Sequence, residues 1–394
     1  MPELLFVSHR FPYPLNKGEK IRAYNLLRHL APNWRIHLGC LVEDPSDLAH
    51  LPVLAPLCAE VAAFPIDKRG QKLKALARFR PGRPLMLDYY RHAGLRRWVA
   101  ERLPRMDLAY IFSAAMAPYV LDRPETGARR VLDMQDIDSE KWATYAQGSR
   151  FPMRAVWARE ARTLLAYERH AALSCAATFF VTEPETRRFA ELAPETADRL
   201  DWVECGVDLA FFSPAHAFPD PYPAAGQRIV FTGNMDYWPN ADAVIWFATQ
   251  VLPLLSPRPD FWIVGANPGA EVGRLGQLPG VHVTGRVADV RPYLAHADVS
   301  VSPLRIARGI QNKVLEAMAM GRPVIASPGA FQGIRAIAGQ DVLVADGAEA
   351  TARAVAAVLA GAHPGLGAAG RDAVERGYAW STTLARLDAA LARL

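Results

Sequence analysis

The stretch from Val301 to Ser327, VSPLRIARGIQNKVLEAMAMGRPVIAS, constrains the fold of this chain more than any other. It reads as a buried strand, a short polar loop, one amphipathic helix and a second buried strand. Val314, Leu315, Ala317 and Met318 recur at helical spacing, which predicts a helix over Ile310–Met320. Gly321 stands where such a helix stops, and Arg322-Pro323 blocks its continuation before the strand Val324-Ile325-Ala326. Glu316 is the one carboxylate inside this apolar helix, with Lys313 one turn before it. A polar loop feeding a helix amino end beside a parallel strand suits a phosphate, because unpaired N–H groups and the helix dipole face the anion. A carboxylate farther along can then accept hydrogen bonds from ribose hydroxyls; the competing reading is a Glu that simply reaches solvent.

A chain of 394 residues is too long for one ordinary core, so two domains are expected. Short apolar runs alternate with helical stretches, the pattern of parallel sheets. Strands are expected at Leu4–Ser8, Arg35–Leu41, Val61–Pro65, Leu108–Ile111, Arg130–Asp133 and Thr178–Val181 in the first half. In the second half they are expected at Arg228–Thr232, Phe261–Val264, Val281–Thr284, Val299–Pro303, Val324–Ala326 and Val342–Val344. The Pro-rich, aperiodic segment Asp208–Gln227 reads as a linker. Each half is then Rossmann-like, with ligands at the carboxyl ends of the strands. No run approaches the roughly 20 apolar residues of a membrane span, and the start, MPELLFVS, does not have the form of a signal peptide. Cys40, Cys58, Cys175 and Cys205 lack metal or redox spacing, so buried reduced thiols and a cytoplasmic location are expected.

The Val301–Ser327 stretch resembles the nucleotide-sugar site of retaining GT-B glycosyltransferases of family 4. Their pattern is Glu, seven residues, Glu, then Ala-Met-Ala and a Gly-x-Pro-Val-Ile strand. Glu316, Ala317-Met318-Ala319 and Gly321-Arg322-Pro323-Val324-Ile325 follow it in register, while the first Glu is replaced by Arg308. Val203–Asp208 with Phe212 and Pro214 resembles the family's entry into its second domain, with Cys205 in place of Asn. Phe231-Thr232-Gly233-Asn234 resembles the first strand and turn of that domain, but Asn234 and Pro239 replace two phosphate-binding cations. The resemblance implies a GT-B fold, two Rossmann-like domains facing a central cleft. It implies a first domain over 1–207, a linker over 208–227, a nucleotide-sugar domain over 228–375 and a C-terminal helix, 376–394, returning to the first domain.

The same resemblance implies a division of labour. Gly233, Asn234, Gly309, Ile310, Gln311 and Glu316 hold the donor, and Arg286 and Val287 lie against the base, Arg286 having a surface salt bridge as its other reading. With the usual cations missing, Arg308 and Lys313 are left to compensate the departing diphosphate. Gly18, in the turn after the first strand, is expected near the donor phosphate, with Arg22 on the helix that follows. No G-x-G-x-x-G accompanies it. In RVLDMQDIDSEKW, Arg130–Trp142, the acids Asp133, Asp136, Asp138 and Glu140 crowd together, and mutual repulsion is expected to raise some of their pKa values. Asp136 stands where the family often has His-Asp and is the candidate nearest the acceptor hydroxyl, with Asp133 and Asp138 beside it. Helix capping by Asp138 or Ser139 is the structural alternative.

Lys68 to Arg83 holds seven cations and no acid, a partly amphipathic helix that suits a solvated face or an anionic membrane surface. The net charge of +5 permits such contact, while no motif points to nucleic acid. The function implied is retaining transfer of a sugar from a nucleotide-diphosphate sugar to a glycan or lipid-linked acceptor in polysaccharide biosynthesis, without a metal or other cofactor. Such an enzyme is cytoplasmic, or peripheral on the inner membrane face. Asp-Ile-Asp-Ser-Glu-Lys-Trp and Gly-Ile-Gln-Asn-Lys-Val-Leu-Glu resemble stretches of exopolysaccharide and exosortase-associated sugar transferases. A non-catalytic nucleotide-sugar-binding protein and a nucleotide-sugar epimerase remain as alternatives.

Overall fold

The computed structural model describes residues 1–123, 127–223, 226–307 and 309–394. They divide into two compact units: Met1–Glu204 with Leu384–Leu394, and Cys205–Thr383.

The first unit is built on a parallel sheet of seven strands. These are β1 Glu3–Ser8, β2 Arg35–Val42, β3 Glu60–Pro65, β4 Leu108–Phe112, β5 Arg129–Gln135, β6 Ala177–Phe180 and β7 Leu200–Trp202. Their order is β3-β2-β1-β4-β5-β6-β7, a Rossmann arrangement extended by one strand. Helices cover both faces of such a sheet, so its central strands are apolar throughout rather than alternating. Leu4, Leu5, Phe6 and Val7 of β1 are each fully buried. Burying one such side chain contributes roughly 1.5–3 kcal/mol. Six of these strands match the expected ones within a residue or two. The short strand β7 has no counterpart among them.

The second unit repeats the plan with β8 Arg228–Thr232, β9 Asp260–Val264, β10 Val281–Gly285, β11 Val299–Ser302, β12 Val324–Ala326 and β13 Leu343–Val344. Their order is β10-β9-β8-β11-β12-β13, again all parallel. The segment 208–227 is not a free connector. Tyr222 is buried in the core of this unit, packs against Trp262 with ring centroids 4.9 Å apart, and donates its hydroxyl to the Tyr293 carbonyl at 2.6 Å. A single buried aromatic outweighs the surrounding Pro-rich composition.

The last helix runs from Trp380 to Leu391, later than the expected 376, because the preceding helix Leu366–Gly377 extends past that point. Within the first unit, Asp388 of its outer turns meets His29 at 2.8 Å and Arg386 meets Asp201 at 2.6 Å. Among the described residues no helix is long and apolar enough to cross a membrane. All four cysteines are free, Cys58 half-buried and the other three buried.

Candidate functional site

In the second unit, β8 is flanked by β9 on one side and β11 on the other, so the chain reverses its direction of travel between β8 and β11. Loops leaving the carboxyl ends of two such strands part from each other and leave a crevice. The loop after β8 begins with Gly233 and Asn234. Gly233 donates to the Val264 carbonyl at 3.0 Å, and Gly265 donates to the Gly285 carbonyl at 3.2 Å, so glycines end three neighbouring strands. The approach is close: a Cβ on Gly265 would lie 1.7 Å from the Gly233 carbonyl oxygen. Only a residue without a side chain fits there. Asn234 is held by Asn267, which donates to its Oδ1 at 3.3 Å, and by Asn240, which donates to its carbonyl at 2.9 Å.

The loop after β11 leads to the helix Asn312–Ala319, two residues shorter at its start and one at its end than expected. Gly309 takes φ +64° and Gln311 is extended, which delays the helix. At the far end the Gly321 amide reaches the Met318 carbonyl at 2.9 Å and the Arg322 amide reaches Ala317 at 3.0 Å, a Schellman closure. Gln311, at the cap position, makes no side-chain capping bond to this helix. Gln311 donates to the Gly309 carbonyl at 3.3 Å and accepts from Lys313 Nζ at the same distance. Ile310 packs on the core below. Arg308 lies outside the described residues.

Lys313 and Glu316 sit one turn apart on this helix and keep partial access to solvent. Loss of surrounding water lowers Lys313 to about 8, opposed by the attraction of Glu316. The same loss raises Glu316 to about 7, opposed by Lys313. The ammonium also lies 5.7 Å from the centroid of Phe231, a ring of β8. Beyond β10, Arg286 is exposed and Val287 packs partly buried on the core. With strands spaced near 4.8 Å, that loop emerges about 10 Å from β8. The second unit thus gathers Gly233, Asn234, Gly309, Gln311, Lys313 and Glu316 around one strand-end crevice, with Arg286 and Val287 toward its edge.

The first unit places its candidates less uniformly. Gly18 is exposed and opens the helix Gly18–Leu30, after the extended Lys17. Arg10, at the end of β1, pairs with Glu19 at 2.8 Å and with Glu43 at 3.6 Å. Asp133 is not on the acceptor side. It is fully buried, paired with Arg22 at 3.0 Å, and accepts the Tyr110 hydroxyl at 2.7 Å. Arg22 is buried with it and donates to the Val203 carbonyl at 2.5 Å, so it does not reach a phosphate either.

Just beyond Asp133 the pairing of β5 with β6 slips, and Gln135 takes a left-handed φ of +68°. Such an irregularity re-aims the next side chain, and Asp136 emerges exposed. Asp138 opens the helix Asp138–Gly148 without capping it, since Ile137 stands at the cap position with no side-chain bond. Asp138, half-buried beside Asp136, is raised to about 6, and loss of surrounding water rather than mutual repulsion is the largest cause. Repulsion by Asp136 is a smaller contribution to Asp138.

Two further acids escaped the sequence reading. Glu185 shares a side-chain hydrogen bond with Asp136 and accepts from the Ile137 amide at 3.2 Å. Its signal was present as Thr182-x-x-Glu185, a helix-start pattern. Thr182 does cap the Glu185 amide at 3.2 Å, but the carboxylate turns to the neighbouring loop. Glu168, fully buried, accepts from Ser139 Oγ at 2.5 Å and from the Ser139 amide at 3.2 Å. Burial pushes it up to about 8. Among the described residues, no three His, Cys, Asp or Glu side chains gather as a metal ion would need.

Residues 226–361 match the family described as "Glycosyl transferases group 1". No curated protein sequence matches the chain significantly. Among solved structures, the sucrose-phosphate synthase of Thermosynechococcus elongatus superposes with a TM-score of 0.72 at 18% identity, covering 100% of this chain and 99% of that one. The Anabaena protein HepE, solved in complex with UDP and glucose, gives 0.69 at 13% identity over 100% of both chains. WaaG, a glycosyltransferase involved in lipopolysaccharide biosynthesis, gives 0.67 at 15% identity over 98% of both. The second unit therefore carries a glycosyl transferases group 1 domain, and the chain has the GT-B fold of two Rossmann-like domains.

Proposed function

We propose that this protein is a retaining glycosyltransferase that takes a sugar from a nucleotide-diphosphate donor and passes it to a glycan or lipid-linked acceptor. The observation that supports this best is the Lys313–Glu316 pair on a helix whose cap residue, Gln311, makes no side-chain capping bond, at the strand-end crevice of a group 1 domain. The donor diphosphate lies against the amino end of the helix Asn312–Ala319, where Lys313 and Arg308 neutralise charge that grows as the phosphate departs. Glu316 accepts from the ribose hydroxyls. Gly233 leaves room for the phosphate backbone and Arg286 stacks on the base.

In the transfer itself, the bond from the sugar's anomeric carbon to the phosphate oxygen breaks. A bond from the acceptor oxygen forms on the same face, and the acceptor proton passes to the departing phosphate. Configuration is retained and no metal is required, because protein cations carry the compensation. Asp136 orients the acceptor hydroxyl, steadied by Glu185 and with Asp138 beside it. The family's sugar-contacting Glu is Arg308 here, so the donor sugar is held differently from the family pattern. That HepE was solved with UDP and glucose favours a uridine donor as the first to test.

The experiment is to incubate purified protein with UDP- and GDP-sugars, with and without lipid-linked and oligosaccharide acceptors. Acceptor-dependent release of nucleotide diphosphate, with a retained anomeric signal by NMR, is expected. Acceptor-free isomerisation of the sugar would establish an epimerase instead. Tight nucleotide binding without turnover of any donor would establish a binding protein.

A further inference from the structure

Two stretches without a single acid, distant in sequence, form one face of the first unit. Lys68–Leu87 contains seven cations, and Lys141–Arg159 contains Arg150, Arg154 and Arg159 besides Lys141, whose charge is met by Asp136 and Asp138. The first stretch begins with the helix Lys68–Ala77, shorter than the expected Lys68–Arg83, in which Pro81-Gly82 cannot continue a helix. This helix turns Gln71 and Ala75 inward, and Gln71 Nε2 donates to the carbonyls of Tyr89 and Arg91 at 2.8 and 3.0 Å. Its outward residues are therefore apolar as well as basic: Leu73 is 68% exposed and Leu76 60%, with Phe79 just beyond its end 51%.

The second stretch is the hairpin of helices Asp138–Gly148 and Met153–Leu173. At its turn Phe151 is 85% exposed, the most exposed large apolar side chain among the described residues, with Tyr145 and Met153 also open to solvent.

Arg159 ties the two together. Its guanidinium lies 4.4 Å from the centre of the Phe79 ring and donates to the Arg80 and Arg83 carbonyls, the latter at 2.8 Å. Glu160, beside it, accepts from the Leu85 and Met86 amides at 3.0 Å each. Met153 lies six residues before Arg159, so the Phe151 turn sits about 10 Å along the helix from Phe79. Acids at its edge pair with part of the charge, Glu43 with Lys68 at 3.6 Å, Asp88 with Arg83 at 3.5 Å and Glu160 with Arg159 at 3.1 Å, which leaves the charge of Lys72, Lys74, Arg78, Arg150 and Arg154 to the outer surface.

Exposed apolar side chains rimmed by an excess of cations suit a bilayer carrying negative headgroups. A nucleic acid would use the cations and leave Leu73, Leu76 and Phe151 in water. We propose that this composite face docks the first unit on an anionic membrane surface, with the Phe151 turn and the outer face of the helix Lys68–Ala77 as its two points of insertion. The proposal goes beyond sugar transfer and stands on its own observations; if the acceptor is lipid-linked, docking brings enzyme and acceptor to one surface.

Flotation of the full chain with phosphatidylcholine vesicles, with and without phosphatidylglycerol, tests it. Binding only to the anionic vesicles, weakened by salt, is expected. A cation near such a surface is worth about fivefold in partitioning, so Lys72, Lys74 and Arg78 all changed to Ser should weaken binding roughly 100-fold. Phe151→Ser, alone and far away in sequence, should weaken it severalfold. Each variant's nucleotide-diphosphate affinity and melting temperature are expected to match the wild type, which separates this proposal from the donor reading. No flotation, equal flotation on neutral vesicles, or a Phe151→Ser variant that binds like wild type would overturn the composite face. Duplex DNA that displaces the vesicles and is bound equally by Phe151→Ser would also overturn it, in favour of a nucleic-acid surface.

Discussion

Arg22 and Asp133, 111 residues apart in the chain, form a fully buried ion pair at 3.0 Å in the first unit. Tyr110 donates to Asp133, and Arg22 donates to the Val203 carbonyl. A buried pair adds little over a well-packed apolar one, but removing one partner leaves an uncompensated charge. Asp133→Ala is expected to cost about 3–5 kcal/mol, lowering the melting temperature of the first unit while nucleotide binding by the second persists below that transition. A melting curve that overlays the wild type would contradict this placement of Asp133.

Glu168 makes stability depend on pH. Its folded pKa, about 8, lies above its ordinary value of 4.5, so the native state holds a proton that the unfolded chain has released. Its contribution is fully present below about 4.5 and is lost as the pH rises through about 8. Glu168→Gln keeps a neutral partner for Ser139 and should flatten the decline in melting temperature between these limits. An unchanged slope would assign the decline to other groups.

The parts legible in the sequence are those whose cause is local. β1 and β8 are apolar on both faces, and Gly321 with Arg322-Pro323 announces the end of the site helix. β7 is three residues with Asp201 at its centre, half-buried at the sheet edge, and offers no pattern. The acids after β5 looked alike in sequence. What separates them is the slip at Gln135, which leaves Asp133 inside with Arg22 and turns Asp136 out. Glu185 and Arg159 act on segments far from them in sequence, so no window of the sequence contains either contact.

Nucleotide binding should show two limbs with pH. Glu316 accepts ribose hydroxyls best as the carboxylate, so affinity should rise through about 7. Lys313 loses its charge through about 8, so affinity for the diphosphate should then fall. Titration of affinity against pH is expected to give a maximum between these values. In Glu316→Gln the acid limb should vanish, and an acid limb that survives in that variant would contradict the assignment.

If protein cations carry the leaving diphosphate, EDTA should leave turnover unchanged, while Lys313→Ala and Arg308→Ala each lower kcat/KM at least tenfold. A loss of activity on chelation that Mn²⁺ restores would place the compensating charge on a metal and not on these side chains.

The most direct test is calorimetry of UDP and GDP with wild type and with Glu316→Ala. The carboxylate's bonds to the ribose are worth roughly 1.5–3 kcal/mol. One nucleoside diphosphate is expected to bind the wild type, and about tenfold or more weakly to the variant, with the melting temperature unchanged. Equal affinity in the two proteins, or no nucleotide binding by either, would contradict the donor site at the helix Asn312–Ala319.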